Sequence, residues 1–423
     1  MRALVFFTWL VTCFGMVSSI ALAQAAKVES EPLLAQPAPG IFVDRTVWVP
    51  ADNLAAIGTK LGGKITRISN NFLRIHGRAI QVNVIAAQDE ANAIAIEKSL
   101  EKIKRKPFVQ RRKEIVIEYV GKDLDDSIAI KANYELGIAP KPSLITYQVT
   151  ADLALIDKAD YMSCNPLFLA FLQKSANTAA AEAEIGKLRT RFQFGDQLTL
   201  RTQDNQPVTS IRWQTEPIQK TPHGATTTFQ FAKPDKRNNI PLAHVEITLQ
   251  VDNTGLSTSN EMPGPKLIEA TSFWPANDPD VVKLARQITQ GASSNDEKVA
   301  AILQWLAPGK NIKYSGQTGS RYGTLQVLSQ KFGHCWDFSD VFVTLSRAAR
   351  IPTRQVAGWL YGSSGHVWCE YYVEGKGWQQ VDPTGGNVLR CGLYHLAYFT
   401  SEDGDMPIVY LAVPSIVVTD TSP

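Results

Sequence analysis

Cysteine and histidine are scarce in this chain, at five and six among 423 residues. So few cysteines exclude a disulfide-built scaffold. The histidines give no reason to expect a metal centre, since His223 and His244 stand far apart with no paired ligand spacing. An excess of one charge is also missing. Lys and Arg number 43 against 40 Asp and Glu, a net +3, and with no recognition signature present no nucleic-acid partner is expected. The acidic cluster Asp123, Asp125 and Asp126 lacks the glycine and terminal glutamate of a calcium loop, and reads as a helix N-terminus favouring negative charge. No cofactor motif and no internal repeat is found, and after the first two dozen residues no apolar run reaches membrane length.

That first apolar run extends from Ala3 to Val17 and is followed by Ala21-Leu22-Ala23, a small-residue cleavage site. It reads as a signal peptide over residues 1–23, the alternative being an uncleaved anchor. The expected location is periplasmic or secreted, with no membrane span once the signal is removed. Residues 24–40, rich in Pro, Ala, Glu and Ser, read as a linker.

The expected class is α+β, in four parts. Residues 41–113 form a small α/β module: strands Ile41 to Val49, Phe72 to Ile75 and Ile80 to Val84, and a helix from Asp89 with Ala93, Ile96, Leu100 and Ile103 on one face. Residues 114–190 form a mainly helical segment, opened by a strand at Ile115 to Tyr119 and continued by helices at Asp123 to Leu136, Leu153 to Leu172 and Ala176 to Leu188. Short alternating strands make residues 191–270 a β-sandwich-like domain. Residues 271–423 are expected to form a C-terminal domain. Lys102 to Lys113 holds seven Lys and Arg in twelve residues. A solvated helix end explains it; contact with an anionic envelope polymer is the sharper reading.

The chemistry lies between Phe332 and Gly386. After Cys335 come Phe338, Val341, Phe342 and Leu345, the apolar stripe of a helix that Ile351-Pro352 ends, with Gly333 turning the chain into it. Cys335 therefore stands at a helix N-terminus, where the free N–H groups and the macrodipole favour a thiolate and could donate to an oxyanion. His366, 31 residues on, shares one strand face with Trp368, Glu370 and Tyr372. A turn near Gly375-Lys376-Gly377 leads to a second strand closed by Asp382, 16 residues after the histidine. A loop of three or five residues would set Trp368 opposite Asp382 and His366 on the same face, whereas an even loop would separate them. The odd register is expected, since it lets the carboxylate hold the imidazole as a general base requires. Trp336, Trp368 and Trp378 are expected to pack around the site.

GHCWDF, RIPTR, GHVWCEYY and GWQQVDPT, in that order, resemble the transglutaminase-like superfamily of thiol enzymes, over roughly Asp278 to Val418. The resemblance implies a papain-like core with Cys335 as nucleophile, His366 as base and Asp382 as orienting group. Upstream, Asp278 and Pro279 open a helix with Val282, Leu284, Ala285 and Ile288 as its buried face, and a Ser294–Glu297 capping box opens a second; this pair also resembles the lead-in of bacterial transglutaminase-like domains. Strands at Tyr394 to Thr400 and Ile408 to Val418 would extend the catalytic sheet. His334 stands where animal transglutaminases usually carry Gln, and about 40 residues follow Asp382, too few for their two C-terminal barrels. The shorter, often hydrolytic bacterial members are the closer comparison. Trp305, Tyr314 and Gln317 are candidates for a side-chain oxyanion donor. If Cys335 stays free, the other mature cysteines Cys164, Cys369 and Cys391 allow one bridge, and Cys369 with Cys391 is the pair expected.

Together these readings describe an exported enzyme that attacks amide or peptide carbonyls of a peptide or protein substrate through a thioester, hydrolysing rather than cross-linking. The alternative is an idle scaffold or binding protein of the cell envelope.

Overall fold

The computed structural model describes residues 41–422, apart from 76–77, 105–107, 122–123, 160–191, 203–207, 233–240, 254–261, 308, 317–320, 363–364, 386–390, 407 and 411–413. The expected signal peptide, the linker, the Ala176 to Leu188 helix, Cys164 and Gln317 lie outside the described residues.

Strands β1 (Ile41–Trp48), β2 (Ile65–Ile75), β3 (Arg78–Ala87), β4 (Val109–Arg112) and β5 (Ile115–Val120) form one antiparallel sheet in the order β1-β2-β3-β5-β4. Period-two alternation explains its two cores. Ile68, Ile85 and Val116 face helices α1 (Ala51–Leu61) and α2 (Glu90–Glu101), while Leu73, Val82, Val84 and Tyr119 face α3 (Asp126–Glu135). Side chains of Asp89 and Asp125 cap α2 and α3 by accepting from the N–H of Asn92 and Ile128. Two expectations change here. α1 was not foreseen, and Ile115–Val120 joins this sheet between β3 and β4 rather than heading a helical segment. Much of the basic run is engaged inside the module: Lys104 with Glu118 at 2.8 Å, and Arg111 with both Glu90 and Glu97 at 2.8 Å.

The helix expected from Leu153 begins instead as the end of a strand, β6 (Leu144–Ala159). Ile145, Tyr147, Val149, Ala151 and Leu153 are buried at period two, and the strand carries on through Leu153 to Ile156, which are buried without alternation. Along the chain follow β7 (Phe192–Phe194), β8 (Gln197–Arg201), β9 (Val208–Trp213), β10 (Gln219–His223), β11 (Thr226–Gln230) and β12 (Leu242–Asp252). β12 lies between β6 and β9, and β10-β11-β8 make a second sheet. The two sheets share a core in which Trp213 meets Phe229 and Phe231 at ring distances of 4.8 and 5.3 Å.

In the C-terminal region α4 (Pro279–Ile288) is capped by Asp278, and α5 (Asn295–Leu306) by the Ser294–Glu297 box. On α4 Ala285 is buried and Leu284 and Ile288 pack against the same cluster, as expected, while Val281 takes the buried place expected for Val282. Strand β13 (Lys313–Tyr314) pairs with β14 (Phe332–Gly333), flanking α6 (Thr324–Gln330), a helix not foreseen. The central helix is α7 (Cys335–Ala348), buried at every position from Asp337 to Arg347. Its expected apolar stripe meets Val281, Val299, Ile302 and Leu306 of α4 and α5 in one cluster. Its polar side is buried too, because Asp340 receives two bonds from Arg321, at 2.7 and 2.8 Å, and others from Trp274 and Gln355.

Strands β15 (Thr353–Leu360), β16 (Gly365–Val373), β17 (Gly377–Val381) and β18 (His395–Ser401) form a sheet in the order β17-β16-β15-β18. The sequence departs once more at the end. β19 (Ile408–Tyr410) and β20 (Ser415–Ser422) pair with β6 instead of extending the catalytic sheet. Cys369 and Cys391 are both free thiols, each buried among apolar side chains, so the expected bridge is absent.

Candidate active site

Cys335 is the first residue of α7. Asp337 fixes the entry to that helix, one carboxylate oxygen accepting from the His334 N–H at 2.9 Å and the other from the Tyr322 N–H at 2.7 Å. A Cβ on Gly333 would lie 2.5 Å from the Asp337 Cβ, so close approach, rather than an unusual φ, requires glycine there.

His366 stands on β16 opposite Gly358 of β15. Pairing of Val373 with Gly377 and of Cys369 with Val381 defines a three-residue loop in the odd register, and Asp382 follows one residue past the last pair. The His366 Nε2–H donates to Asp382 Oδ2 at 2.7 Å, which leaves Nδ1 for Cys335, whose sulfur is near enough to act on the ring. Burial alone would lower the His366 pKa. The Asp382 carboxylate, the bond to it and the Cys335 sulfur outweigh burial and raise it to about 10. Burial likewise works to raise Asp382, but the His366 and His395 imidazoles hold its carboxyl well below the usual range.

Asp382 has further partners that the sequence did not reveal. Oδ1 accepts from the Thr384 N–H and hydroxyl at 2.9 and 2.6 Å, and Oδ2 lies 3.2 Å from Nε2 of buried His395. His395 belongs to no motif, and only the pairing of β18 with β15 carries it to the site. Burial lowers its pKa in spite of Asp382, and His366 and Lys131 lower it further. One carboxylate thus faces one imidazole favoured as a cation and one favoured as neutral. His366, Asp382 and His395 each place a ligating atom within 4.8 Å of the others, and the hydrogen bonds just described account for that proximity.

Of the two oxyanion-donor candidates among the described residues, Tyr314 is the one beside the cysteine, close enough for Cys335 and Asp382 to act on its phenol. Although the Tyr314 residue is 44% exposed, desolvation at its phenol first, then the nearby Cys335 and Asp382, push its pKa up, so the phenol keeps its proton. Trp305 instead packs against the helical core. Trp368 and Trp378 are buried walls; Trp368 stacks on His366 at 6.1 Å and donates to Gln380 at 3.1 Å. Trp336 is partly buried, with the Arg321 guanidinium 5.1 Å above its ring.

A cysteine at a helix N-terminus, facing a strand-borne histidine that a carboxylate holds by its far nitrogen, is the layout of a thiol-enzyme site. Residues 282–383 match the model of the Transglutaminase-like superfamily, and the chain carries a domain of that superfamily. Among curated proteins, it is 28% identical over 143 residues to the uncharacterized protein YebA of Bacillus subtilis, covering 28% of this chain and 18% of that one. It is 27% identical over 110 residues to annulin of Schistocerca americana, covering 23% and 14%. The chain thus spans less than a fifth of either relative. A Cytophaga hutchinsonii crystal structure described as a "putative cysteine protease" aligns with TM-score 0.34 and 18% identity, over 66% of this chain and 89% of that one.

Proposed function

We propose that this protein is an exported thiol hydrolase acting on amide or peptide carbonyls. The observation that carries the proposal is the 2.7 Å bond from His366 Nε2 to Asp382 Oδ2, with Cys335 on the other side of the imidazole. In the reaction, Cys335 Sγ attacks the carbonyl carbon and its proton passes to His366 Nδ1. In this reading the Cys335 N–H and the Tyr314 hydroxyl stabilise the oxyanion. Collapse breaks the C–N bond, the amine leaves with the proton from His366, and a thioester remains. Water, deprotonated by His366, then attacks the thioester and releases the acid and the free thiol.

Hydrolysis is favoured over transfer because water is the abundant acceptor. Export rests on the N-terminal apolar run, and contact with an anionic envelope polymer through Lys102 to Lys113 is an accessory proposal. The test is hydrolysis of a peptide and amide library by wild type and Cys335→Ala, with an added amine as competing acceptor. Turnover confined to wild type, with acid as the main product, supports the proposal. Amine adducts as the main product would replace hydrolysis by transfer, and no turnover with an inert Cys335 would favour the scaffold alternative.

A further inference from the structure

Asp382 stands just past the end of β17, where no strand partner fixes its side chain. Its orientation must come from hydrogen bonds. Thr384 holds Oδ1 from two residues away, a local turn that sets no direction toward the sheet. On Oδ2, His366 is the group to be oriented, so it cannot also be the reference. Among the described residues the remaining donor is His395, brought in from β18 on the far side of β15.

The tautomer of His395 follows from its second contact. The Gly392 N–H donates to Nδ1 at 3.5 Å, so the proton resides on Nε2 and points to Asp382 Oδ2 at 3.2 Å. The ring is buried, with Trp368 edge-on at 5.2 Å. Its own segment is anchored from elsewhere in the chain: the Tyr147 hydroxyl of β6 donates to the Leu393 carbonyl at 2.7 Å, and the Tyr394 hydroxyl to Glu135 of α3 at 2.9 Å. The charged or titratable groups around it are His366 from β16, Asp382 beyond β17, and Lys131 from α3.

We propose that His395 is a positioning residue: as a neutral Nε2–H donor it fixes Asp382 Oδ2, so that the carboxylate holds His366 with Nδ1 toward Cys335. It touches neither substrate nor thiol and acts through Asp382. The inference rests on the thiol-enzyme reading, and no motif or resemblance marks this histidine.

The experiment is the pH profile of Cys335 alkylation by iodoacetamide, followed by mass spectrometry on the purified protein. Wild type, His366→Ala, His395→Leu, His395→Gln and His395→Asn are compared, with circular dichroism to confirm folding. A Gln amide can place an N–H where Nε2 stood, whereas Asn is too short to reach Asp382. Loss of a hydrogen bond to a charged group predicts labelling at pH 6 slowed about ten- to a hundredfold in His395→Leu and His395→Asn, with most of the rate recovered in His395→Gln. Should His395→Leu not fold, the Gln and Asn variants decide. Equal rates in Gln and Asn, or a folded Leu variant matching wild type, overturn the role of His395 alone. Wild type that does not label at pH 6, or labelling indifferent to His366→Ala, overturns the thiol-enzyme reading and this inference together.

Discussion

Arg201 of β8 donates to Glu370 of β16 across 2.7 Å, with both side chains buried, and Arg354 holds the other Glu370 oxygen at 2.8 Å. Glu370 lies four residues beyond His366 on the same strand face, so a residue of the β-rich region reaches the strand that carries the base. Replacing one partner of a buried pair strands the remaining charge. Arg201→Met should therefore lower stability by roughly 3–5 kcal/mol in denaturant titration. A variant as stable as wild type would show that Arg354 alone satisfies Glu370.

The proposed roles predict a graded loss of activity. Cys335→Ala should abolish turnover, and Asp382→Asn should cut kcat by as much as ~10⁴-fold through the wrong imidazole tautomer, as removal of the carboxylate does in serine-based triads. Steady-state kinetics on any substrate found is the check. An Asp382→Asn enzyme within a few-fold of wild type would remove Asp382 from the mechanism.

The His366–Asp382 pair gives stability two pH limits. His366 is raised to about 10, so its contribution is complete below about pH 6.5, declines above it and is gone once pH passes about 10. Asp382 is depressed, so its contribution is complete above about pH 3.9 and is lost as pH falls through its lowered pKa. Thermal unfolding from pH 2 to 11 should show both limbs in wild type and shallower ones in the double variant His366→Gln, Asp382→Asn. Identical profiles would refute the coupling.

Gly358 lies opposite His366, and a Cβ there would stand 2.2 Å from both the Leu396 carbonyl oxygen and Trp368 Cη2. Gly358→Ala should destabilise the protein by about 1–3 kcal/mol as the strands part to admit the methyl group. Because Trp368 stacks on His366, activity should fall as well. Chemical denaturation and turnover, measured on the same preparation, check both effects.

Cys369 and Cys391 are buried, and burial pushes both thiols well above their ordinary pKa. Native protein should expose only Cys335 of these three to a thiol reagent, with the other two reacting on unfolding. Peptide mapping of labelled cysteines would detect any departure.

The site residues were legible because each sat in a local pattern. The stripe after Cys335 and the alternation around His366 fixed their elements, and the choice of an odd loop placed Asp382. His395 was invisible because its approach depends on strand order within the sheet, and no spacing along the chain encodes strand order. The same reason hid the destination of the strand read at Ile408 to Val418, whose described parts fall in β19 and β20 and pair with β6. Around Leu153 the failure was of another kind. Leu153, Ala154, Leu155 and Ile156 are all buried, and an apolar run buried on both sides carries no period to distinguish strand from helix.

The late pairing of β6 has a consequence for how the chain folds. Thr419 bonds the carbonyl of Thr146 across 273 residues. During synthesis one side of β6 must therefore wait for strands made only after the whole catalytic region has emerged. Loop closure over that distance makes the pairing late and slow, and until then β6 presents a long apolar edge that invites association with other chains. Shortening the chain before residue 408 should therefore show itself first as insoluble protein, whatever the state of the residues around Cys335.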